Sequence, residues 1–293
     1  MVKSTREAEV TTQRRRRISL TSPRMIAGYF VLAYACTWWV VPLGSDNFPV
    51  FPYGPDLALL LLVGWLVGRR GIRRILSSLT RWRAHPKWYA FVILAPTAVA
   101  LVAIFGTRLL GADSSAMPDP SSAWKFVLLI PIQIVIGGPL GEELGWRGHV
   151  LPALQQRYVP LVAVLLLGIG HVIWHLPLFF TSEPTPYIPF TIELLCGGVV
   201  LAWIMNSTGR ITLAILLHGI HNASQDAFMG GLHGADYVTL NWLTAAGWAA
   251  LATIVIWRTR GSLTSGATQP FTIPLYQPAA RPVPRGPSAL TPA

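Results

Sequence analysis

The sequence predicts an all-α, polytopic membrane protein with about eight transmembrane helices and both termini cytoplasmic. Two properties of the whole chain lead there. Of its 293 residues, 52% are hydrophobic and only 12% are charged, where soluble domains carry about a quarter charged residues. Apolar stretches also recur along the entire chain, most of them near the roughly 20 residues a helix needs to cross a hydrocarbon core. The third observation is where the charges lie: the basic residues gather beside the apolar stretches, as cytoplasmic loops do.

Residues 1–24 form a basic cytoplasmic N-terminal segment. It holds seven basic residues, among them Arg14, Arg15, Arg16 and Arg17. The apolar run after it is too long for the core of a signal peptide and has no convincing small-residue cleavage site. LAYAC resembles a lipoprotein box only loosely, because Tyr34 is bulky, so 25–43 reads as an uncleaved span. The helical transmembrane domain covers 25–260. Its spans are expected at 25–43, 56–67, 88–110, 123–140, 161–180, 188–205, 211–223 and 242–257, the second and seventh being short. Residues 261–293 are rich in Pro, Ser, Thr and Ala. Such a composition buries no core and reads as a disordered tail.

Loop charges set the orientation. With the N-terminus inside, the outer loops 44–56, 108–125, 181–189 and 225–240 hold two basic residues, Arg108 and Lys125. They hold seven acids: Asp46, Asp56, Asp113, Asp119, Glu183, Asp226 and Asp236. The other 21 basic residues are assigned to the inner side. Residues 72–84, IRRILSSLTRWRA, alternate basic and apolar positions at helical spacing and suit the inner membrane surface. The net charge of +11 therefore reads as topology and anionic-lipid contact. Membrane lipid is an expected partner and nucleic acid is not. Cys36 and Cys196 lie inside apolar spans and suggest neither a disulfide framework nor a metal knuckle.

Against this apolar background three polar clusters stand out. They are Glu142-Glu143-x-x-x-Arg147, His171-x-x-x-His175 and His218-x-x-His221-Asn222. Residues four apart share a helix face, so Glu143 meets Arg147, His171 stacks with His175, and His218 stacks with Asn222. Ionisable residues near hydrocarbon are costly and mark function by default. The bland alternative is structural: a Glu–Arg pair that only ties a helix, or histidines that only bond a neighbouring helix. An antiparallel hairpin turning near Arg157 would bring the glutamates and His175 to similar depth. A continuous helix over 123–156 would span roughly 50 Å, so Gly137-Gly138-Pro139 is the expected break.

These residue types suit hydrolysis of an amide by activated water. A carboxylate takes a proton from water, a histidine shares that task, and a second histidine with an Asn amide donates to the oxyanion. The alternative is zinc, held by Glu142, His175, His218 and His171 with an open position. No Glu follows His171, so the zincin HExxH motif is absent.

At EELGWR, HVIWH and HGIHN the chain resembles the CPBP family, the intramembrane CAAX proteases and bacteriocin-processing (Abi) enzymes, over roughly residues 120–225. The family's motifs are Glu-Glu-x-x-x-Arg, Phe-x-x-x-His and His-x-x-x-Asn, in this order. The resemblance implies a glutamate-type intramembrane endopeptidase acting on a membrane-associated peptide or protein. Glu142 would be the general base with His175, and Glu143 and Arg147 the rest of the first motif. His218 and Asn222 would form the oxyanion site. No cofactor is required in that mechanism, though older readings of the family assign a metal. His171 departs from the pattern, standing where the family has Phe. It either packs there or adds a polar group one turn from His175. His221 is also outside the pattern, and Glu193 is a further intramembrane carboxylate. Arg-rich, Lys-poor usage (20 Arg, 3 Lys) points to a prokaryotic cell membrane and to peptide processing. The competing readings are a non-proteolytic scaffold or self-immunity protein of the same fold, and a small transporter using the polar cluster as a relay.

Overall fold

The computed structural model describes residues 20–44, 50–112, 123–181, 184–228 and 232–265. Most of 1–24 and of the tail, and the acids Asp46, Asp113, Asp119 and Glu183, lie outside them. The described residues form helices and no strands, and the all-α reading holds. In chain order the helices are α1 (Pro23–Trp38), α2 (Gly54–Leu66), α3 (Arg69–Leu76), α4 (Pro86–Leu109) and α5 (Ala123–Val135). Then come α6 (Pro139–Gly145), α7 (Leu151–Gln155), α8 (Pro160–Trp174), α9 (Tyr187–Thr208), α10 (Ile211–Phe228) and α11 (Gly234–Thr259).

Four helical stretches are long and apolar enough to cross a membrane: Pro23–Leu43, Pro86–Leu109, Tyr187–Thr208 and Gly234–Thr259. A fifth crossing arises if the bent pair Trp124–Val135 and Pro139–Gln155 counts as one. The other expected spans correspond to α2 and α8, which are shorter apolar helices, and to α10 with its polar stripe. The bend, 47°, falls at the Gly-Gly-Pro sequence as expected. Gly138 sits at φ 116°, a conformation open to glycine and strained for any residue with a Cβ. Pro139 then opens α6 at a position where its missing N–H is no loss.

Two further devices shape this segment. Gly141 lets α6 lie directly on the chain entering α2, for a Cβ there would meet Tyr53 Cα at 2.7 Å and the Pro52 carbonyl at 2.8 Å. Beyond Gly145 the helix widens into a π-turn over Trp146–Val150, a distortion frequent at functional sites. Gly145 donates its N–H to Asp56 Oδ1 at 2.8 Å. Asp56, counted among the outer-loop acids, is instead buried in the first turn of α2.

The far end of α8 is pinned by α1. Tyr34 donates to the Gly170 carbonyl at 2.8 Å, Trp38 to the Trp174 carbonyl at 3.0 Å, and Trp174 to Thr37 Oγ1 at 2.7 Å. Trp146 and Trp174 are fully buried and pack edge-to-face, supplying large apolar area and a rigid wall. The larger core runs from Tyr29 and Val63 through Trp146 and Trp174 to Trp248, and a smaller cluster gathers Ala100, Ala103, Ile104, Leu232 and Leu240. The segment 69–80 carries the expected two-faced pattern: Gly71, Ile75 and Ser78 are buried while Arg69, Arg70, Arg73 and Arg74 are exposed.

Candidate active site

The three polar clusters converge where α6, α8 and α10 meet. Glu142 Oε2 lies 3.1 Å from His171 Nε2, both side chains being buried. Ligand atoms of Glu142, His171 and His175 all lie within 4.8 Å of one another. Glu143 points the other way around the helix. Its Oε1 accepts from Arg147 Nη1 at 3.0 Å and from His218 Nδ1 at 2.8 Å. The expected Glu143–Arg147 pairing is therefore present. His218, grouped by the sequence reading with Glu142 and His175 as a metal ligand, sits on Glu143 instead. The His reaching Glu142 is His171, the residue at the departing position.

Ring geometry orders the histidines. His171 and His175 lie 4.8 Å apart between ring centroids, with Trp146 and Trp174 beside His171 and Trp174 and Phe190 beside His175. His175 Nδ1 is 3.1 Å from the His171 carbonyl. A carbonyl only accepts, so Nδ1 carries the proton and Nε2 keeps its lone pair. By the same logic His218 donates through Nδ1 to the Glu143 carboxylate. Asn222 gives one N–H to the Gly137 carbonyl at 3.0 Å, which ties α10 to the helix break and leaves a second N–H. The pairs at i and i+4 were readable from spacing; these bonds across helices were not.

A cavity of about 380 Å³ fronts the site. Glu142, His171, His175, His218 and Asn222 line one side of it. Glu193, His221 and Gln225 line it too and bond to one another: His221 Nε2 lies 2.7 Å from Glu193 Oε1, and Gln225 Nε2 is 3.0 Å from the same oxygen. Asp226, at the end of α10, is bonded by Gln133 of α5. Asp56 is the residue the sequence reading missed. It is the third carboxylate of the region, and only its place just before an apolar run hinted at a helix N-terminus.

Two comparisons bear on this constellation. The family model described as Type II CAAX prenyl endopeptidase Rce1-like matches residues 123–224, the stretch from α5 to α10 that contains every residue named in the three motifs. Over this stretch the chain is similar to the CAAX-protease family. A curated relative, CAAX prenyl protease 2 of Methanococcus maripaludis, is 33% identical over 96 residues. That alignment covers 29% of this chain and 35% of the relative, so the chain spans about a third of the length of the curated relative it matches. Outside the matched stretch, α2 contributes Asp56, α1 the clamp on Trp174 and α11 part of the cavity wall.

Proposed function

We propose that the protein is an intramembrane endopeptidase that hydrolyses a peptide bond of a membrane-associated peptide or protein through water activated by Glu142. The observation that carries this reading is the placement of Glu142, His171 and His175 within 4.8 Å of one another on the wall of a peptide-sized cavity. Glu142 accepts a proton from water while the oxygen attacks the scissile carbonyl carbon. His171 holds the carboxylate by its Oε2, and the lone pair of His175 Nε2 orients the water. The carbonyl electron pair moves to oxygen, and Asn222 donates its remaining N–H there. Donation from His218 as well requires its imidazolium, because Nδ1 already donates to Glu143. Collapse expels the amine, which takes the proton from Glu142.

Glu143 and Arg147 act as support. Their buried pair, closed by His218, fixes α6 against α10 and keeps Glu142 turned to α8. The test is cleavage of a peptide library by purified protein in detergent or nanodiscs, with Glu142→Gln and His175→Ala alongside. Cleavage that persists in Glu142→Gln overturns the mechanism, whereas a wild type that cleaves nothing favours the scaffold or self-immunity reading.

The donor set also fits a zinc alternative, in which Glu142 serves as a ligand and not as the base. One carboxylate and two imidazoles match three-ligand catalytic zinc sites, and the backbone bond at His175 Nδ1 is the outer contact that orients such a ligand. His171 Nδ1 is buried without a hydrogen-bond partner among the described residues, while Nε2 faces Glu142. Glu142, His171 and His175 would hold the ion, which would supply Lewis-acid polarisation of the carbonyl. Peptide maturation in a prokaryotic cell membrane is the physiological role proposed.

A further inference from the structure

The bundle has two chemically distinct ends. At one end lie the starts of α1, α4, α8 and α10 and the ends of α2, α9 and α11. Contacts tie them together: Arg157 bonds the Thr21 carbonyl, Arg210 the Arg83 carbonyl, Thr212 the Arg81 carbonyl, and Ser265 the Ser207 hydroxyl. This end carries Arg24, the arginines of 69–83, Lys87, Arg157, Arg210, Arg258 and Arg260, and no carboxylate among the described residues. At the other end Gly145 meets Asp56, Gln133 meets Asp226, and Phe126 packs on Phe228. Every described carboxylate lies in the site or toward this second end; its described cations are Arg108 and Lys125.

The cavity belongs to the second end. Toward this end it is lined by Val50 and Pro52 before α2, Thr185 before α9, Asp226 near the end of α10 and Tyr237 at the start of α11. Its floor is Leu201, Leu217 and Trp248. Beneath the floor Ile204, Met205, Leu213 and Ala214 are packed without solvent exposure above 1%, placing a tightly packed apolar layer between the cavity and the arginine end. The two ends are a bilayer apart, since α4 and α11 are 24 and 26 residues long, roughly 36–39 Å at 1.5 Å per residue.

Arginine-rich ends face the cytoplasm because positively charged loops resist translocation. We propose that the catalytic cavity opens on the non-cytoplasmic face of the membrane and takes its peptide from that side. Its substrate class is then an exported or extracytoplasmic segment of a membrane-associated peptide, not the C-terminus of a cytosolic protein. Delivery and cleavage of a peptide rest on the hydrolase reading; the orientation of the cavity does not.

The two parts are tested separately. In a chain with Cys36→Ala and Cys196→Ala, the single substitutions Thr185→Cys, Ala235→Cys, Ser77→Cys and Thr80→Cys are expressed in bacterial cells. Intact cells or spheroplasts are treated with a membrane-impermeant maleimide. Thr185→Cys and Ala235→Cys are expected to be blocked in intact cells, and Ser77→Cys and Thr80→Cys only after lysis. The reverse pattern, or equal labelling of both ends, overturns the proposal. In the second arm an impermeant peptide substrate is offered to right-side-out and inside-out vesicles. Cleavage is expected in the first and at least about tenfold less in the second until detergent is added. Equal or inverted cleavage overturns delivery from that side. If detergent-solubilised protein cleaves no peptide, the hydrolase reading fails while labelling still decides which face the cavity meets.

Discussion

His171 Nε2 lies 3.1 Å from Glu142 Oε2, so the imidazole that touches the proposed base occupies the position where the family motif has Phe. An apolar ring there would pack against Trp146 and Trp174 but leave Glu142 without this bond. The substitution adds an orienting group one helical turn from His175, and it converts a Glu–His arrangement into a three-ligand donor set.

His171→Phe is therefore expected to keep the fold and lower kcat by about tenfold, the scale of one lost orienting hydrogen bond, with KM little changed. Glu142→Gln removes the base and is expected to lower kcat by about 10²–10⁴. Steady-state cleavage of one fluorogenic peptide by both variants separates the roles. Equal losses in the two would make His171 as indispensable as the base.

Metal dependence follows from the same geometry. If the Glu142–His171–His175 set is a zinc site, purified wild type will carry about one zinc, and His171→Phe will carry much less. Elemental analysis reads this without any assay of activity. A metal-free, chelator-resistant enzyme that cleaves peptide removes the zinc version and leaves the carboxylate mechanism standing.

Asn222 links the helix break to the cavity through the Gly137 carbonyl. Asn222→Ala deletes that tie together with the proposed oxyanion donor. Loss of one oxyanion donor typically lowers kcat by about 10²–10³, and that fall with nearly unchanged KM is the expected result. A rise in KM with kcat preserved would place Asn222 in substrate binding instead.

The helices were legible because lipid and backbone together demand long apolar segments, and the break was legible because Gly138 and Pro139 leave the chain few conformations. Pairs on one helix, such as Glu143–Arg147, follow from a period of 3.6. Contacts between helices depend on packing register, which spacing does not report. His171–Glu142, His218–Glu143 and Glu193–His221 all belong to that class. Asp56 was misplaced for a related reason: an acid just before an apolar run reads equally as a loop residue or as a helix N-terminus, and only α6 lying beside it decides.

Asp56 also yields the sharpest stability prediction. Its Oδ1 accepts the Gly145 N–H across the α2–α6 contact, at the residue where the α-helix gives way to the π-turn. Asp56→Ala leaves that amide buried without its acceptor, a loss of about 1–3 kcal/mol, and frees the turn that sets Arg147 relative to Glu143. Asp56→Asn keeps an oxygen at the same place and removes the charge, so it should retain most of the stability. Thermal unfolding in detergent is expected to rank wild type and Asp56→Asn well above Asp56→Ala, with peptide cleavage falling in the same order. If Asp56→Asn melts as low as Asp56→Ala, the carboxylate charge and not the bond to Gly145 is what the site requires.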